Sequence, residues 1–408
     1  MLASDAMRTW PLFFVASLGC GSSDATEARA HAGSAGGSNS GGASASGGAA
    51  GTGGVTTGTG GVGVGGVAGA GGTPSEGGKA GSGGAPSPCG PCPVGYVCGS
   101  ANGLPVCRAP SGVPLFTTVI VIVMENTSLA TLAAAIKSGG APNLGAMASA
   151  FAAGSDHHGV AHPSLPNYLA LTSGDTQGVT CDCHAAPGQG ACNVLSCNKV
   201  LGSCSCDSPA PSVADQLEAA GLSWMAYAEG MGAPCNLTDA GSYAVRHVPF
   251  LYYDGIQKNA ARCAAHVVDL SAFDLGAPAR FNFIAPNLVS DMHDPFPAGP
   301  QNIANGDAWL GPRVKAVLAS ATYAAGGLFV VVWDEDDASG GLTGADDPIA
   351  MYVMSPFAKS GGFLSAVKTD HYSLLATIED GLALPRMGKA GQSRPGVADT
   401  LADYFPPM

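Results

Sequence analysis

One serine of this sequence stands where a nucleophile could act. Ser164 lies in HPSLPNYLALTSG (162–174), between a proline turn and an apolar run that is typical of a helix. The hydroxyl could instead cap that helix, because serine is a preferred N-cap residue and proline is common at helix starts. This segment alone leaves both interpretations open, so the elements that would position other reactive groups must be found.

Acidic, amide and imidazole side chains follow three predicted strands. TTVIVIVM (117–124) is a β-branched run with no polar break, typical of a strand buried on both faces of a parallel sheet. ARFNFIAPN (279–287) is predicted as another strand that ends in polar residues, and GLFVVVWDEDD (327–337) as a strong buried strand. Ligands bind beyond the carboxyl ends of such strands, and converging carboxylates there need a cation to be stable together. The side chains expected at this edge are Glu125, Asn126, Asp291, His293, Asp294, Asp334, Glu335, Asp336 and Asp337.

Strands alternate with helices along the rest of this region. Helices are predicted from Ser128 to a stop at Gly139, after a cap at Ser212, over residues 307–320 despite Pro312, and over 371–384. Further strands are predicted in LSWMAYAEG (222–230) and IAMYVMSP (349–356). The pattern predicts an α/β fold with a mostly parallel sheet covered by helices on both faces.

The first part of the chain has a different composition. Residues 1–20 read as an export signal whose end, SLGC, resembles a bacterial lipobox with Cys20 as the acylated residue; cleavage after Ala30 is the alternative. Residues 21–87 are rich in Gly, Ala and Ser and predict a disordered linker. A small Cys-rich module at 88–110, interpreted as a spacer, precedes a catalytic domain at 111–408.

Cysteine usage fits an exported protein. The chain has 13 cysteines, and setting Cys20 aside leaves an even number, which predicts disulfides of undetermined pairing. Zinc is the alternative for the clusters at 89–107 and 181–206, although no histidine stands at finger-like spacing.

The acidic balance excludes one class of partner. A net charge of −13 argues against binding nucleic acid or an anionic membrane through a basic surface, so we expect no nucleic acid and membrane contact only through an N-terminal lipid anchor. A phosphorylated substrate can still be held by bound cations.

Six segments in order carry a family resemblance over about residues 116–408. They are VIVMENTS (121–128), HPSLPNYLALTSG, YAVRHVPFLYY (243–253), DMHD (291–294), VVWDEDD (331–337) and DHYSLLATIED (370–380). Together they resemble the bacterial phosphoesterase family of secreted acid phosphatases and phospholipases C, within the alkaline phosphatase superfamily. The resemblance implies an alkaline-phosphatase-like fold.

The resemblance also implies roles for particular residues. Glu125, Asn126, Asp334 and Glu335 would bind a divalent metal, and the Ser164 oxygen would be both nucleophile and metal ligand. SLPN is similar to the TFPN of nucleotide pyrophosphatases, which implies that Asn167 contacts phosphoryl oxygens. The metal could be Mg, Ca, Mn, Zn or Fe, since oxygen ligands suit the first three and histidines the others.

The remaining candidates come from the residues themselves. His293 could protonate the leaving group or contact phosphate, with Asp291 or Asp294 orienting it, and Asp291 could also bind metal. His247 could contact phosphate, and His371 beside Asp370 could hold a second metal. His157, His158 and His162 are interpreted as structural. The Cys-dense insert 181–206 matches no family motif, and Asp336 and Asp337 extend the acidic run beyond the family pair.

These observations predict a metal-dependent phosphomonoesterase. It would act outside the cytoplasm through a phosphoserine, on a phosphorylated small molecule or lipid, as an envelope lipoprotein or a secreted protein of undetermined oligomeric state. The alternatives are a phosphodiesterase of phospholipase C type and a non-catalytic surface lipoprotein. A sulfatase is disfavoured, because the arginine of its C/S-x-P-x-R motif does not follow Ser164.

Overall fold

A computed structural model describes residues 87–185, 206–293, 302–337 and 347–408. The expected export signal, the linker up to residue 86, Cys192, Cys197, Cys204 and Asp294 lie outside these residues. All the described residues belong to one compact unit, 80–408. None of the helices described within it has the length and apolar character needed to cross a membrane.

In chain order, the described elements begin with a hairpin and continue as alternating strands and helices. The strands are β1 (Val97–Ala101), β2 (Leu104–Arg108), β3 (Val119–Met124), β4 (Ala152–Gly154), β5 (His157–His158), β6 (Trp224–Ala228), β7 (Val267–Asp269), β8 (Phe281–Ala285), β9 (Leu328–Trp333), β10 (Met351–Met354), β11 (Leu364–Ser365) and β12 (Thr369–Asp370). The α-helices are α1 (Leu129–Ser138), α2 (Pro142–Ala150), α3 (Ser164–Ser173), α4 (Val213–Ala219), α5 (Asp254–Gln257), α6 (Ala260–His266), α7 (Asn302–Leu318), α8 (Ala321–Ala324) and α9 (His371–Gly381).

The main sheet of the described residues has eight strands in the order β11-β4-β10-β9-β3-β8-β6-β7. Strands β9, β3, β8, β6 and β7 pair in parallel, and β10 runs antiparallel to both β9 and β4. The predicted mostly parallel sheet is therefore confirmed. Its centre is β3, hydrogen-bonded to β8 on one side and β9 on the other.

Alternate residues of the central strands enter two separate cores. Val119, Val121 and Val123 pack into one apolar cluster with α3, α4 and α9, whereas Ile120 and Ile122 pack into a second cluster with α1, α2 and α7. Since successive side chains of a strand point to opposite faces, an unbroken apolar run requires a helix layer on each side. Both layers are present, as the sequence predicted.

Helix boundaries follow the capping residues. The Ser128 hydroxyl accepts the Thr131 N–H, and α1 ends at Gly139 in the left-handed conformation with φ 82°. Ser212 begins α4 in a capping box with Asp215. Pro312 is tolerated inside α7, which spans 17 residues. The predicted ends of these helices therefore coincide with residues that cap the helix.

The Cys-rich module is docked onto the catalytic region. The hairpin β1–β2 buries Ala101 and Val106 in the apolar cluster that contains α3 and α9. The Tyr96 hydroxyl donates to the Asp380 carbonyl over 2.6 Å, and the Asn102 amide donates to the Ala358 carbonyl over 2.7 Å. A spacer would not make such contacts, so that interpretation was wrong.

Disulfides account for the described cysteines. The pairs are Cys89–Cys98, Cys92–Cys107, Cys183–Cys206 and Cys235–Cys263, and Cys181 is disulfide-bonded as well. The sulfurs of Cys181, Cys183 and Cys206 lie within 4.8 Å of one another, but disulfide bonding leaves no thiolate for zinc. Disulfides are therefore confirmed over zinc for these residues.

Replacing Arg108 with methionine should loosen the hairpin. Its buried guanidinium donates to the carbonyls of Ser100 (2.8 Å), Gly112 (3.0 Å) and Pro406 (2.7 Å). Arg108→Met fills similar space but leaves these acceptors without the donor, so we expect a loss of roughly 2–4 kcal/mol in the free energy of unfolding by denaturant titration. Arg280→Met, whose side chain donates to the Thr117 carbonyl alone, is the control. Equal stability of both variants would show that the buried charge costs as much as its bonds contribute.

Glu379, near the end of α9, should make stability fall as pH rises. Burial raises the pKa of its carboxyl from 4.5 to about 8, partly opposed by a hydrogen bond with Gln216. The folded state then keeps a proton that the unfolded state releases, so stability is lost between about pH 4.5 and about pH 8.

Glu379→Gln should abolish this loss. The stability difference between variant and wild type is expected to grow in the variant's favour by on the order of 2 kcal/mol from pH 5 to pH 8, measured by denaturant titration. Exposed Asp274→Asn is the control. A pH-independent difference would contradict the raised pKa.

Candidate active site

The ends of β3 and β9 bring acidic side chains together. The strands are parallel neighbours in which Met124 pairs with Trp333, so Glu125 and Asp334 leave the sheet side by side. The Asp334 Oδ1 accepts the N–H of Asn126 at 3.1 Å and of Glu335 at 2.7 Å. The polar segment that follows β8 also lies here, because the Glu125 N–H donates to the Asp291 carbonyl at 2.8 Å.

Ser164 is the first residue of α3, and Pro163 occupies the N-cap position. The serine hydroxyl makes no capping hydrogen bond, so the cap interpretation was wrong. Its Oγ instead lies 2.9 Å from Glu125 Oε2, 3.2 Å from Asn126 Oδ1 and 3.4 Å from Glu335 Oε1. The structure therefore unites Ser164 with the polar ends of β3 and β9.

This group of oxygens has more acceptors than hydrogens. A hydroxyl has one hydrogen, whereas Ser164 faces oxygens from Glu125, Asn126 and Glu335, and the buried Asp334 Oδ2 has no hydrogen-bond partner in the described part of the chain. Burial, followed by the neighbouring carboxylates, raises the pKa of Glu125 to about 8 and that of Asp334 well above its usual range. Such a set of oxygens fits a divalent cation, which would supply the missing positive charge.

The side chains of Tyr168 and His247 both contact Glu125. The Tyr168 hydroxyl, one turn along α3, donates to Glu125 Oε1, and the His247 Nε2 lies 3.2 Å from the same oxygen. The two rings stack with centroids 5.6 Å apart. Burial lowers the pKa of His247 far below its usual value, which favours the neutral imidazole. His247, expected to contact phosphate, is buried against the Glu125 carboxylate.

His162 is a site residue that the sequence interpretation assigned to structure. Its Nδ1 lies 2.6 Å from Glu335 Oε2 and its Nε2 lies 3.4 Å from Asp336 Oδ1. Hydrogen bonding to His162 limits the rise that burial causes in the pKa of Glu335. Its position two residues before Ser164 was the available signal.

Asn167 lies beside the site but is bound to the loop before it. Its Oδ1 accepts the N–H groups of Val160 (2.7 Å) and Ala161 (3.1 Å), and its Nδ2 donates to the Ala161 carbonyl at 2.7 Å. The Nδ2 is also 3.3 Å from Glu335 Oε2. These contacts fix the approach of the chain to Ser164.

The segment that follows β8 lies next to Glu125. Asp291 is fully buried, its Oδ1 accepts the His293 N–H at 3.0 Å, and its Oδ2 is 3.8 Å from His247 Nδ1. His293 is close enough to Glu125 to oppose the rise in the pKa of that carboxyl. Asp291 and His293 are thus brought to the site, next to His247.

His371 and the outer acidic residues have other partners. The His371 Nε2 lies 2.5 Å from the Asp334 carbonyl oxygen, whereas Asp370 caps α9 and pairs with Arg394. Asp337 accepts the Ser128 N–H at 2.5 Å and the Thr131 hydroxyl at 2.7 Å, which anchors the start of α1. Asp337 therefore stabilises the start of α1 through its bonds to Ser128 and Thr131. His371 contacts the backbone at the end of β9.

Two further residues at the rim were not expected from the sequence. Asp182, from the Cys-rich insert, accepts the Leu165 N–H at 2.9 Å through Oδ1. Its Oδ2 is 3.6 Å from Nε of Arg246, which precedes His247 in the RH pair. The RH pair was recognised, but the choice between its residues needed the fold, which buries the histidine and leaves the arginine side chain 26% exposed.

The sequence model of the Phosphoesterase family matches residues 134–385, which include Ser164, Arg246, His247, Asp334 and Glu335. The chain belongs to this family. The expected resemblance to phosphoesterases is confirmed, and with it the assignment as a hydrolase of phosphoric esters.

Individual phosphoesterases are similar to this chain over most of its folded part. The phosphatidylinositol-3-phosphatase of Mycobacterium tuberculosis is 30% identical over 293 residues, 70% of this chain and 84% of that protein. An acid phosphatase of Aspergillus fumigatus is 26% identical over 247 residues, 57% of this chain and 48% of that protein. This chain thus spans about half the length of the Aspergillus relative.

A solved structure is also similar to this phosphoesterase. A Vibrio parahaemolyticus protein of the alkaline phosphatase superfamily aligns with TM-score 0.45 and 10% identity, over 71% of this chain and 73% of that one.

Replacing Asn167 with alanine should destabilise the fold, because its side-chain amide accepts the N–H groups of Val160 and Ala161 and donates to the Ala161 carbonyl. We expect Asn167→Ala to lower the free energy of unfolding by roughly 2–4 kcal/mol in denaturant titration. Asn236→Ala, in a half-buried turn, should cost less. Unchanged stability of Asn167→Ala would assign this side chain to ligand contact alone.

Proposed function

We propose that this protein is a metal-dependent phosphomonoesterase in which Ser164 is the nucleophile. The observation that carries the proposal is the position of the Ser164 hydroxyl, which lies 2.9–3.4 Å from oxygens of Glu125, Asn126 and Glu335 at the start of a buried helix. A serine surrounded in this way needs positive charge nearby to become a nucleophile. Membership of the phosphoesterase family supplies the class of reaction.

The cation would be held by Glu125, Asn126, Asp334 and Glu335 together with Ser164. Bound there, it would stabilise the serine alkoxide and offset charge that develops on the phosphoryl oxygens. Tyr168 and His247 would orient Glu125, and His162 would orient Glu335, since each contacts the corresponding carboxylate. His371 contacts the main-chain carbonyl of Asp334 and would fix the end of β9, in place of holding a second metal.

The reaction would then proceed in two displacements. The Ser164 Oγ forms a bond to phosphorus, its proton is released to solvent, and the bond to the leaving alkoxide breaks as His293 donates a proton to that oxygen. Water next attacks phosphorus: its hydroxide portion bonds to phosphorus as the Ser164 Oγ–phosphorus bond breaks, its remaining proton passes to Ser164, and His293 takes back a proton from solvent. The helix α3 starts at Ser164, so its N-terminal dipole would stabilise the phosphoryl anion in both steps.

The substrate class is a phosphate monoester on a small molecule or a lipid. The names of the relatives, a phosphatidylinositol-3-phosphatase and acid phosphatases, support monoesters. A phosphodiesterase on the same scaffold is the alternative outcome of the experiment below.

Action outside the cytoplasm is part of the proposal. The disulfides of the described residues are stable in oxidising compartments, which supports an exported protein. The apolar start of the chain and Cys20 support a signal and a lipid anchor.

Turnover of p-nitrophenyl phosphate should be compared with that of its bis-ester, using the purified protein with its disulfides formed, with and without a chelator. We expect chelator-sensitive hydrolysis of the monoester, restored by one or more divalent metals. Ser164→Ala should lower kcat by about 1,000-fold or more, because the nucleophile is lost.

Ser173→Ala, at the other end of the same helix, is the matched control and should keep most of the activity. A preference for the bis-ester would assign the protein to the diesterases. Hydrolysis that persists both with a chelator and in Ser164→Ala would refute the mechanism. If the folded wild type hydrolyses neither substrate with any metal, a binding protein is favoured.

A further inference from the structure

Arg246 is a cation without a hydrogen-bond partner among the described residues. Its guanidinium lies at the rim, 26% exposed, and its nearest anionic group is Asp182 Oδ2 at 3.6 Å from Nε. Burial lowers the pKa of Arg246, but the carboxylates of Glu125 and Asp182, with Asp239 and Asp291, raise it above its usual value. The two terminal nitrogens of this side chain remain available for a ligand.

Asp182 links this arginine to the nucleophile. One of its oxygens accepts the Leu165 N–H at 2.9 Å, and Leu165 directly follows Ser164 in α3. The other oxygen faces Arg246. A single carboxylate thus places the guanidinium next to the first turn of the helix that carries Ser164.

The segment containing Asp182 is fixed by covalent and polar contacts. Its neighbours Cys181 and Cys183 are both buried and disulfide-bonded, and Cys183 is joined to Cys206. The Cys183 carbonyl accepts the Tyr252 hydroxyl at 2.8 Å, and Tyr252 ends the 3₁₀ helix Pro249–Tyr252 that follows the RH pair. Residues 181–183 and the Arg246 segment are therefore held together next to the site.

A guanidinium in this place distinguishes two kinds of phosphate. A monoester dianion offers three non-bridging oxygens and a diester monoanion offers two. The planar fork of arginine pairs with two oxygens at once, so an additional arginine beside the Ser164 oxygens favours the ligand with more charge and more free oxygens.

Resting on the proposed function, we propose that Arg246 binds non-bridging oxygens of a dianionic phosphate monoester and that Asp182 is the residue that positions it. The Cys-rich insert, which matched no family motif, then serves substrate selection by carrying Asp182. Arg246 touches the substrate, and Asp182 acts through Arg246 and through the Leu165 N–H.

The test compares Arg246→Gln with Arg280→Gln, which makes the same charge change at the amino end of β8. Arg246→Gln should raise KM for p-nitrophenyl phosphate and the inhibition constant of inorganic phosphate by about 10- to 100-fold. The bis-ester should be affected several-fold less, and chelator sensitivity should persist. Arg280→Gln should leave these constants unchanged.

Asp182→Asn tests the positioning role. Asparagine keeps an acceptor for the Leu165 N–H but removes the charge that faces Arg246, so KM for the monoester should rise with kcat largely kept. Asp182→Ala removes both contacts and should lower kcat as well. Equal losses for monoester and bis-ester in Arg246→Gln, or an unchanged phosphate inhibition constant, would overturn the proposal.

A binding measurement separates this inference from the proposed function. Calorimetric titration of inorganic phosphate in the presence of Mg²⁺ or Zn²⁺ compares Ser164→Ala with Ser164→Ala/Arg246→Gln, and neither protein needs to turn over. Weaker binding of phosphate by the double variant supports the Arg246 site even if Ser164 is not the nucleophile. Equal affinity contradicts the site even if the wild type is an active phosphatase.

Discussion

The site depends on the register of the parallel strands β3 and β9, which end opposite each other. Because Met124 pairs with Trp333, the next residues of the two strands, Glu125 and Asp334, leave the sheet side by side as buried carboxylates. Carboxylates so placed repel one another and lose hydration, which is unfavourable unless positive charge or protons are supplied. The surrounding groups meet this demand: Tyr168 donates to Glu125, His162 contacts Glu335, and main-chain N–H groups bind Asp334.

Much of this arrangement could be predicted from the sequence. Strands rich in apolar and β-branched residues were recognised at the centre of the sheet, and the polar residues that follow each of them identified the edge where they meet. Glu125, Asp291, Asp334 and Glu335 were found in this way, because a strand end is a local feature. The short strands β4, β5, β11 and β12 were not predicted, since two or three residues carry no recognisable period.

The roles within each motif required the three-dimensional arrangement. Sequence reasoning singled out His247 in RHVPF as a candidate phosphate contact and assigned no role to Arg246. Whether a side chain faces the cleft or the core depends on the 3₁₀ turn Val245–His247, and its packing on Tyr168 cannot be inferred from spacing. Asp182 lay in an insert without a motif, so nothing in the sequence linked it to Ser164. The cysteine count predicted disulfides for the hairpin, but its docking rests on long-range contacts such as Arg108 with Pro406.

The helix that carries Ser164 has one more property of general interest. All ten of its residues are buried, between the sheet and α9. Its amide protons therefore have few local openings through which to exchange with solvent, and the slowest exchange in the molecule should include this helix. Heat inactivation would then coincide with global unfolding, without an earlier folded but inactive form.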